Sequence, residues 1–421
     1  MATQDIHRPF ERDPKYYEDR AQGLLTVLAD GAAPTIDQVR TWHPAFTGRS
    51  DESIRTAPFT IDDARLVYAR QHGHDTWPAF MEHIGRLASG AIREPFMDVF
   101  DAGRREEWPV VQALLRQHPE LLRARGTNGN TLLNLASSLV RCGAPDESTA
   151  TSPALAPLRL LLDAGADPNQ GNVRGWTPLH QAGYRNAPGM ADLLLGAGAR
   201  ADIEAHGTGG TPLAVALFWG HRQASTLLAR AGILPDNLRT AAALGRLDTM
   251  ERFFVEGRLT SAAGAARGFY RPHGGFASWR PTNDEQEILD EALVWAAKSG
   301  QADTLGFLVQ RGARVNSSLQ QGTPLMWAAG NGHLETIRWL LDHGADVDQQ
   351  GTYGGHDVRG VTALHIAAWS NKVDAVRLLV ERGANPALTD EVYRGTAAGW
   401  AAHAGRHEAE AFLRGLSSHD S

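Results

Sequence analysis

The sequence predicts an all-α solenoid built from stacked helix–turn–helix units, with a helical module ahead of the stack. Three observations predict it. Residues 322–348, GTPLMWAAGNGHLETIRWLLDHGADVD, hold the full punctuation of one helix pair. Thr177 and Thr211 open equivalent helices 34 residues apart. Gly-Ala pairs at 165–166, 198–199, 312–313, 344–345 and 383–384 close successive units.

The punctuation of 322–348 has physical causes. Thr323 offers a hydroxyl to the free amides of a helix N-terminus, and Pro324 follows where no N–H is needed. Ala328 and Ala329 are small enough for a neighbouring helix to pack closely. Gly332-His333 breaks the helix. Ile337, Leu340 and Leu341 recur at helical spacing and make one apolar stripe. Gly344 stands where a left-handed residue ends the second helix, and Ala345-Asp346-Val347 leads into an extended arm.

Residues 1–15 read as a flexible arm and 16–92 as an N-terminal helical capping module. Within the module, 16–29 and 36–41 are helix candidates. Thr60 caps a third helix, with Asp62 and Asp63 in its first turn, and Thr76-Trp77-Pro78 opens a fourth. His72, His74 and Asp75 invite a metal reading, but no further ligand lies nearby, and a solvated loop is expected. The array then spans 93–416 in about nine units, with insertions near 139–155, 256–287 and 351–359. The first insertion holds Cys142, Pro145 and a run of Ser and Thr, so it reads as a surface loop. The second alternates glycine, proline and aromatics without helical period and reads as an ordered, packed loop. Thr282-Asn283-Asp284-Glu285 starts the helix after it, and 417–421 is a tail.

Composition excludes several function classes. Hydrophobic content of 42% and charged content of 21% are ordinary for a globular chain. The net charge of −7 argues against nucleic acid or an anionic membrane as partner. One cysteine rules out an intrachain disulfide framework and a cysteine-rich zinc site. The first residues, MATQDIHRPFERDPKYY, lack the apolar core of a signal peptide, and no apolar run spans a bilayer. A cytoplasmic location follows as the expectation. The abundance of Ala, Arg, Gly and Leu points to a GC-rich bacterial source. Phosphate loops of the GxxxxGKS/T kind, HExxH, CxxC and GxSxG are absent, so no metal site and no cofactor are expected.

The units resemble the ankyrin repeat, on GWTPLH at 175–180, GTPL at 210–213, 322–348, and GVTALH at 360–365. With the preceding DDARLVYARQHG and DTWPAFMEHI, the chain resembles bacterial ankyrin-repeat proteins that carry a helical end cap. The resemblance implies a concave groove lined by hairpin tips and first helices, with second helices on the convex back. It also implies that His180 and His365 hydrogen-bond to hairpins, that His221 and His333 sit at turns, and that the two residues after each Ala-Ala face the groove. Those slots hold Tyr184 and Arg185, Phe218 and Trp219, Lys298 and Ser299, Gly330 and Asn331, Trp369 and Ser370, and His403 and Ala404.

Large aromatics at exposed slots mark binding sites, because they bury much area with few rotamers. The primary reading is therefore a binding protein whose groove takes a protein partner or a small molecule. Its binding residues are Tyr184, Arg185, Phe218, Trp219, Asn331 and Trp369, with Tyr270, Arg271 and Trp279 of the insertion as lid or wall. Alternatively, the 256–287 insertion simply folds into the groove and covers Phe218 and Trp219; both can hold at once. A competing reading is an enzyme or a small-molecule-binding protein with a pocket between that insertion and the C-terminal repeats. His273, His356, Asp357 and His403 would then supply acid–base chemistry. No short motif fixes their spacing, and a solvated or loop-stabilising role is the better reading. Trp295, Trp327 and Trp400 recur immediately before Ala-Ala and could form a stacking ladder, but that register position is interior and core packing is the better reading.

Overall fold

Threonine and serine side chains start several of the helices in the computed structural model, which describes residues 6–29, 33–140, 149–205, 209–231, 234–267, 281–319, 322–353 and 358–417. Thr60 and Asp63 form a reciprocal cap on helix Ile61–Gln71, and Thr76 accepts from the Ala79 amide ahead of Trp77–Ala88. Each such cap stabilises a helix start by about 1 kcal/mol. The chain divides into two compact units, residues 1–212 with 230–232, and residues 213–229 with 233–421.

The first unit begins with helices Pro14–Ala29, Ala33–Trp42, Asp51–Thr56, Ile61–Gln71 and Trp77–Ala88. Leu24, Leu28, Ile36, Val39, Ile54 and Val67 form one apolar core between them. Tyr17, Phe80, Ile84 and Leu87 form a second, which also takes Met97 from the next helix. Ser50 caps the short helix Asp51–Thr56, which the sequence reading passed over. Three helix pairs follow: Pro95–Arg104 with Trp108–Gln117, Leu132–Leu139 with Ala156–Asp163, and Pro178–Tyr184 with Pro188–Gly196.

Two expectations for this unit are corrected. Residues 6–13 are not a loose arm. Arg8 N–H donates to Arg125 O at 2.7 Å and Thr127 N–H donates to Arg8 O at 3.1 Å, a parallel bridge. His7 and Phe10 are buried, and Arg8 and Arg12 pair with Glu94 and Asp101. His72 is not in a solvated loop either. Its ring stacks on Phe80 at 4.4 Å, its Nδ1–H donates to Tyr68 O at 2.7 Å, and its Nε2 accepts from the Thr127 hydroxyl at 2.9 Å. The packed end of the 139–155 insertion is a smaller departure: Arg159 donates to Ala150 O and Ser152 O, and Leu155 is buried.

The second unit holds six helix pairs, from Pro212–Trp219 with Arg222–Ala231 to Ala397–His403 with His407–Ser417. Its core is built on the alanine pairs. Ala296 and Ala297, Ala328 and Ala329, and Ala367 and Ala368 are all fully buried, where their small size lets first helices approach. Gly344 closes its helix pair with a φ of +86°, a conformation that costs a side chain about 1–2 kcal/mol. After the pair Leu238–Ala243 and Leu247–Glu251, a two-stranded hairpin, Phe254–Val255 against Arg258–Leu259, opens the insertion. Glu256 and Gly257 both take positive φ at its turn, as a tight two-residue hairpin requires.

Thr177 and His180 show how adjacent repeats are joined. His180 Nδ1 accepts from the Thr177 amide at 3.1 Å, and its Nε2–H donates to Gly210 O in the following arm at 2.9 Å. Thr362, His365 and Gly395 repeat this geometry in the second unit. Burial holds His7 at a pKa of about 3, and His72 and His180 at about 4. Each ring is thus neutral when folded but takes a proton near pH 6.5 when unfolded. The unfolded chain binds more protons below that pH, so stability is complete above about pH 6.5 and is lost as pH falls, by up to about 1.4 kcal/mol per unit for each ring. Urea unfolding at pH 7.5 and at pH 5 checks this: the midpoint should fall at the lower pH, and an unchanged midpoint contradicts the neutral-ring assignment.

Candidate functional site

Helix Glu285–Lys298 has 14 residues, against eight and seven for the first helices of the next two repeats. Asp284 caps it by accepting from the Glu287 amide. The added turns carry acids into the interior. Glu287, Glu291, Trp295 and Lys298 fall at spacings of four, four and three, so one stripe of the helix presents all four.

Glu291 is 2% exposed and accepts from Arg239 at 2.6 Å and from Arg267. Both guanidinium groups are themselves buried. Arg267 also donates to Gly264 O and Thr282 O and lies 3.6 Å from Glu287, so it ties both ends of the insertion to the helix. The Arg239 guanidinium lies 4.2 Å from the centre of the Trp295 ring. Behind the stripe, Asp290 is fully buried and takes a two-pronged contact from Arg314.

Lys298 ends the stripe and is 2% exposed. Its Nζ faces two aromatic rings, Trp327 at 3.6 Å and Phe218 at 4.4 Å. Among the described residues no hydrogen bond or ion pair reaches that nitrogen. Ring faces stabilise a desolvated ammonium by about 2 kcal/mol. Removing it from water costs several. Burial therefore wins and lowers the pKa well below the usual lysine range; Glu291 raises it and Arg239 lowers it. Two buried donors in these repeats lack an acceptor, the Nε1 of the Trp327 indole that faces Nζ and the hydroxyl of Ser299, the next residue in the chain.

The Lys298 backbone is held as firmly as its side chain is enclosed. Its carbonyl accepts from Asn331 Nδ2 at 3.0 Å and from His333 Nε2–H at 2.9 Å. Asn331 also donates to Trp219 O. Gly220, with φ +72°, closes the contact: a Cβ there would stand 2.1 Å from Lys298 O. Groove slots from three repeats, Phe218 and Trp219, Lys298 and Ser299, and Asn331, thus meet one another rather than line an open face.

The expected site residues fare unequally. Phe218 is 1% exposed, which corrects the expectation of an open groove residue. Trp219 and Asn331 are half-buried beside it, and Tyr353 joins the ring cluster 4.6 Å from Trp327. Trp295 and Trp327 are interior, while Trp400 donates its indole N–H to Asp390. Tyr184 and Arg185 belong to the first unit, where Arg185 donates to Ser138 O and Tyr184 meets Trp176 edge to face. Trp369 is 42% exposed and stacks on the exposed His403 at 6.1 Å. Tyr270, Arg271, His273, Trp279, His356 and Asp357 lie outside the described residues. Among the described residues no cluster of metal-ligating side chains occurs, and no helix is long and apolar enough to cross a membrane. The buried cations and Glu291 escaped the sequence reading. One signal was there: only three lysines occur among 41 basic residues, and a buried position uses one of them.

The helix pairs, their Gly-Ala closures and the histidine links between repeats define ankyrin repeats, and the fold is an all-α ankyrin-repeat fold. Comparison with known proteins agrees. The family model for ankyrin repeats in sets of three matches residues 150–237, 278–351 and 293–390. Protein fem-1 homolog A of Bos taurus is 37% identical over 78 residues, 18% of this chain and 12% of that protein. Ankyrin repeat and SOCS box protein 16 of Homo sapiens is 38% identical over 93 residues, 22% of this chain and 19% of that protein. The chain therefore spans less than a quarter of the length of these relatives. All are mammalian, which is at odds with the bacterial source expected from composition.

Two substitutions test the geometry. Glu291→Gln leaves Arg239 and Arg267 without their shared anion and should cost about 3–5 kcal/mol of stability, against little for Glu287→Gln. Gly220→Ala meets a backbone oxygen that two donors hold in place and should cost at least about 2 kcal/mol. Denaturant midpoints read both, and a midpoint within error of the parent chain would refute either contact.

Proposed function

We propose that this chain is a protein-binding ankyrin-repeat protein whose partner docks on the aromatic surface of its last two repeats, at Trp369, His403 and Tyr393. Ankyrin repeats support a role in protein interaction. One observation carries the location: Trp369 is a large aromatic left exposed at a groove slot and held in a set orientation. Its ring stacks on His403 and meets Trp400 edge to face at 5.6 Å, while Arg406 fixes its carbonyl. A preset aromatic loses little side-chain entropy when a partner covers it.

Asp390 prepares the adjoining hairpin tip. Its carboxylate accepts from the amides of Val392, Tyr393 and Gly395 and from the Trp400 indole. Burial pushes its pKa up, but the indole and the three amides outweigh burial and hold it below the usual range. The tip presents Val392 and Tyr393 at 40% and 70% exposure. Phe218 and Trp219 drop out of the docking surface in this reading, because they enclose Lys298.

The test is affinity capture on the immobilised chain, followed by titration of the captured partner. Trp369→Ala should weaken binding by about 30-fold, as central aromatic anchors do, with the thermal midpoint nearly unchanged. Equal affinity for the variant and the parent would place the partner elsewhere.

A further inference from the structure

We propose that Lys298 is a carbonyl-capturing amine: a small aromatic or apolar aldehyde or ketone forms an imine with its Nζ. This reading is independent of the docking surface at Trp369. It rests first on what surrounds the amine. Phe218, Trp295 and Trp327 are buried, Trp219 is half-buried, and the rings of Phe218 and Trp327 face Nζ directly. Such walls suit a flat, apolar ligand body.

Charge provides the second ground. Every other buried charge in this part of the chain has a partner: Arg239 and Arg267 share Glu291, and Asp290 holds Arg314. Lys298 alone among them meets only rings. Burial lowers the pKa of this amine and Arg239 adds to the effect, against the opposing pull of Glu291, so the free base is favoured over its usual share.

Residue choice is the third. The chain meets nearly all its need for positive charge with arginine, which cannot lose its proton. Of its three lysines, Lys15 and Lys372 are exposed, and only Lys298 is buried. The indole Nε1 of Trp327, on the ring that faces Nζ, lacks an acceptor and fits the hydroxyl oxygen of the adduct that precedes the imine.

The chemistry balances without a further reactant. The Nζ lone pair adds to the carbonyl carbon, a C–N bond forms, and one N–H proton passes to the oxygen. The C–O bond of that adduct then breaks, and the oxygen leaves as water with the second N–H proton.

The experiment is site-resolved reductive alkylation of the full chain near pH 7, with formaldehyde and with benzaldehyde as separate probes, each trapped by cyanoborohydride. Mass spectrometry reads three lysines independently. Lys298 should label about tenfold or more faster than Lys15, whose pKa is raised by hydrogen bonding and ion pairing to Asp19. Lys298→Met should abolish that signal and retain the parent circular dichroism; if the variant fails to fold, the rate ratio in the parent chain decides alone. Labelling of Lys15 and Lys372 with Lys298 untouched would overturn the proposal and leave a sealed structural amine. Labelling of Lys298 by formaldehyde but not by benzaldehyde would overturn the aromatic ligand class.

Discussion

A carboxylate buried in a stack of helices is costly unless cations or hydrogen-bond donors meet it, and Glu291 has Arg239 and Arg267. Much of the second unit is arranged around this demand. The helix that carries Glu291 is nearly twice the length of its neighbours in the repeat. Arg239 comes from a truncated repeat, and Arg267 from the start of an insertion. An insertion of that kind is ordinarily a loose addition to a repeat. Here its first residues are fastened to the interior by the strongest kind of hydrogen bond available to a side chain, guanidinium to carboxylate.

The same helix reconciles two readings of the aromatic slots. Register alone places Phe218, Trp219, Lys298 and Asn331 on an accessible face. They face inward in fact, but onto each other, because Gly220 lets one chain segment close on the Lys298 carbonyl. Trp369 and His403, in the last two repeats, have no such counterpart packed over them and stay exposed. One register position therefore serves two purposes, a buried aromatic cluster around an amine and an exposed aromatic surface.

Local chemistry was readable from residues, and long-range closure was not. Thr60, Thr76 and Thr323 announce their helices because a cap depends on three or four neighbouring residues. Gly344 and the Thr–His pairs are legible for the same reason. His72 was misjudged because its partner, Thr127, is 55 residues away and its neighbours His74 and Asp75 look solvated. Burial of Phe218 was readable only as an alternative, a cover supplied by the 256–287 insertion; its contacts with Lys298 and Trp295 were not, because they depend on how repeats that are not consecutive meet. Glu291 and Arg239 are hidden similarly: nothing across their separation of 52 positions marks the pair. Chain composition held the one usable clue to Lys298, a scarcity of lysine that only matters once the position is known to be interior.

The strap formed by residues 6–13 carries a consequence for how the chain comes to be folded. His7 and Arg8 find their partners at Arg125, Thr127 and Gly129, as far as 122 residues downstream. The helices between them can form as soon as they are made. The edge that the strap covers cannot be closed until those partners emerge, which at ordinary rates of synthesis takes about 6–24 s. Until then His72 lacks the Thr127 hydroxyl from which its Nε2 accepts. The strap thus works as a late clasp, closed only when residues 125–129 have joined the helices that precede them.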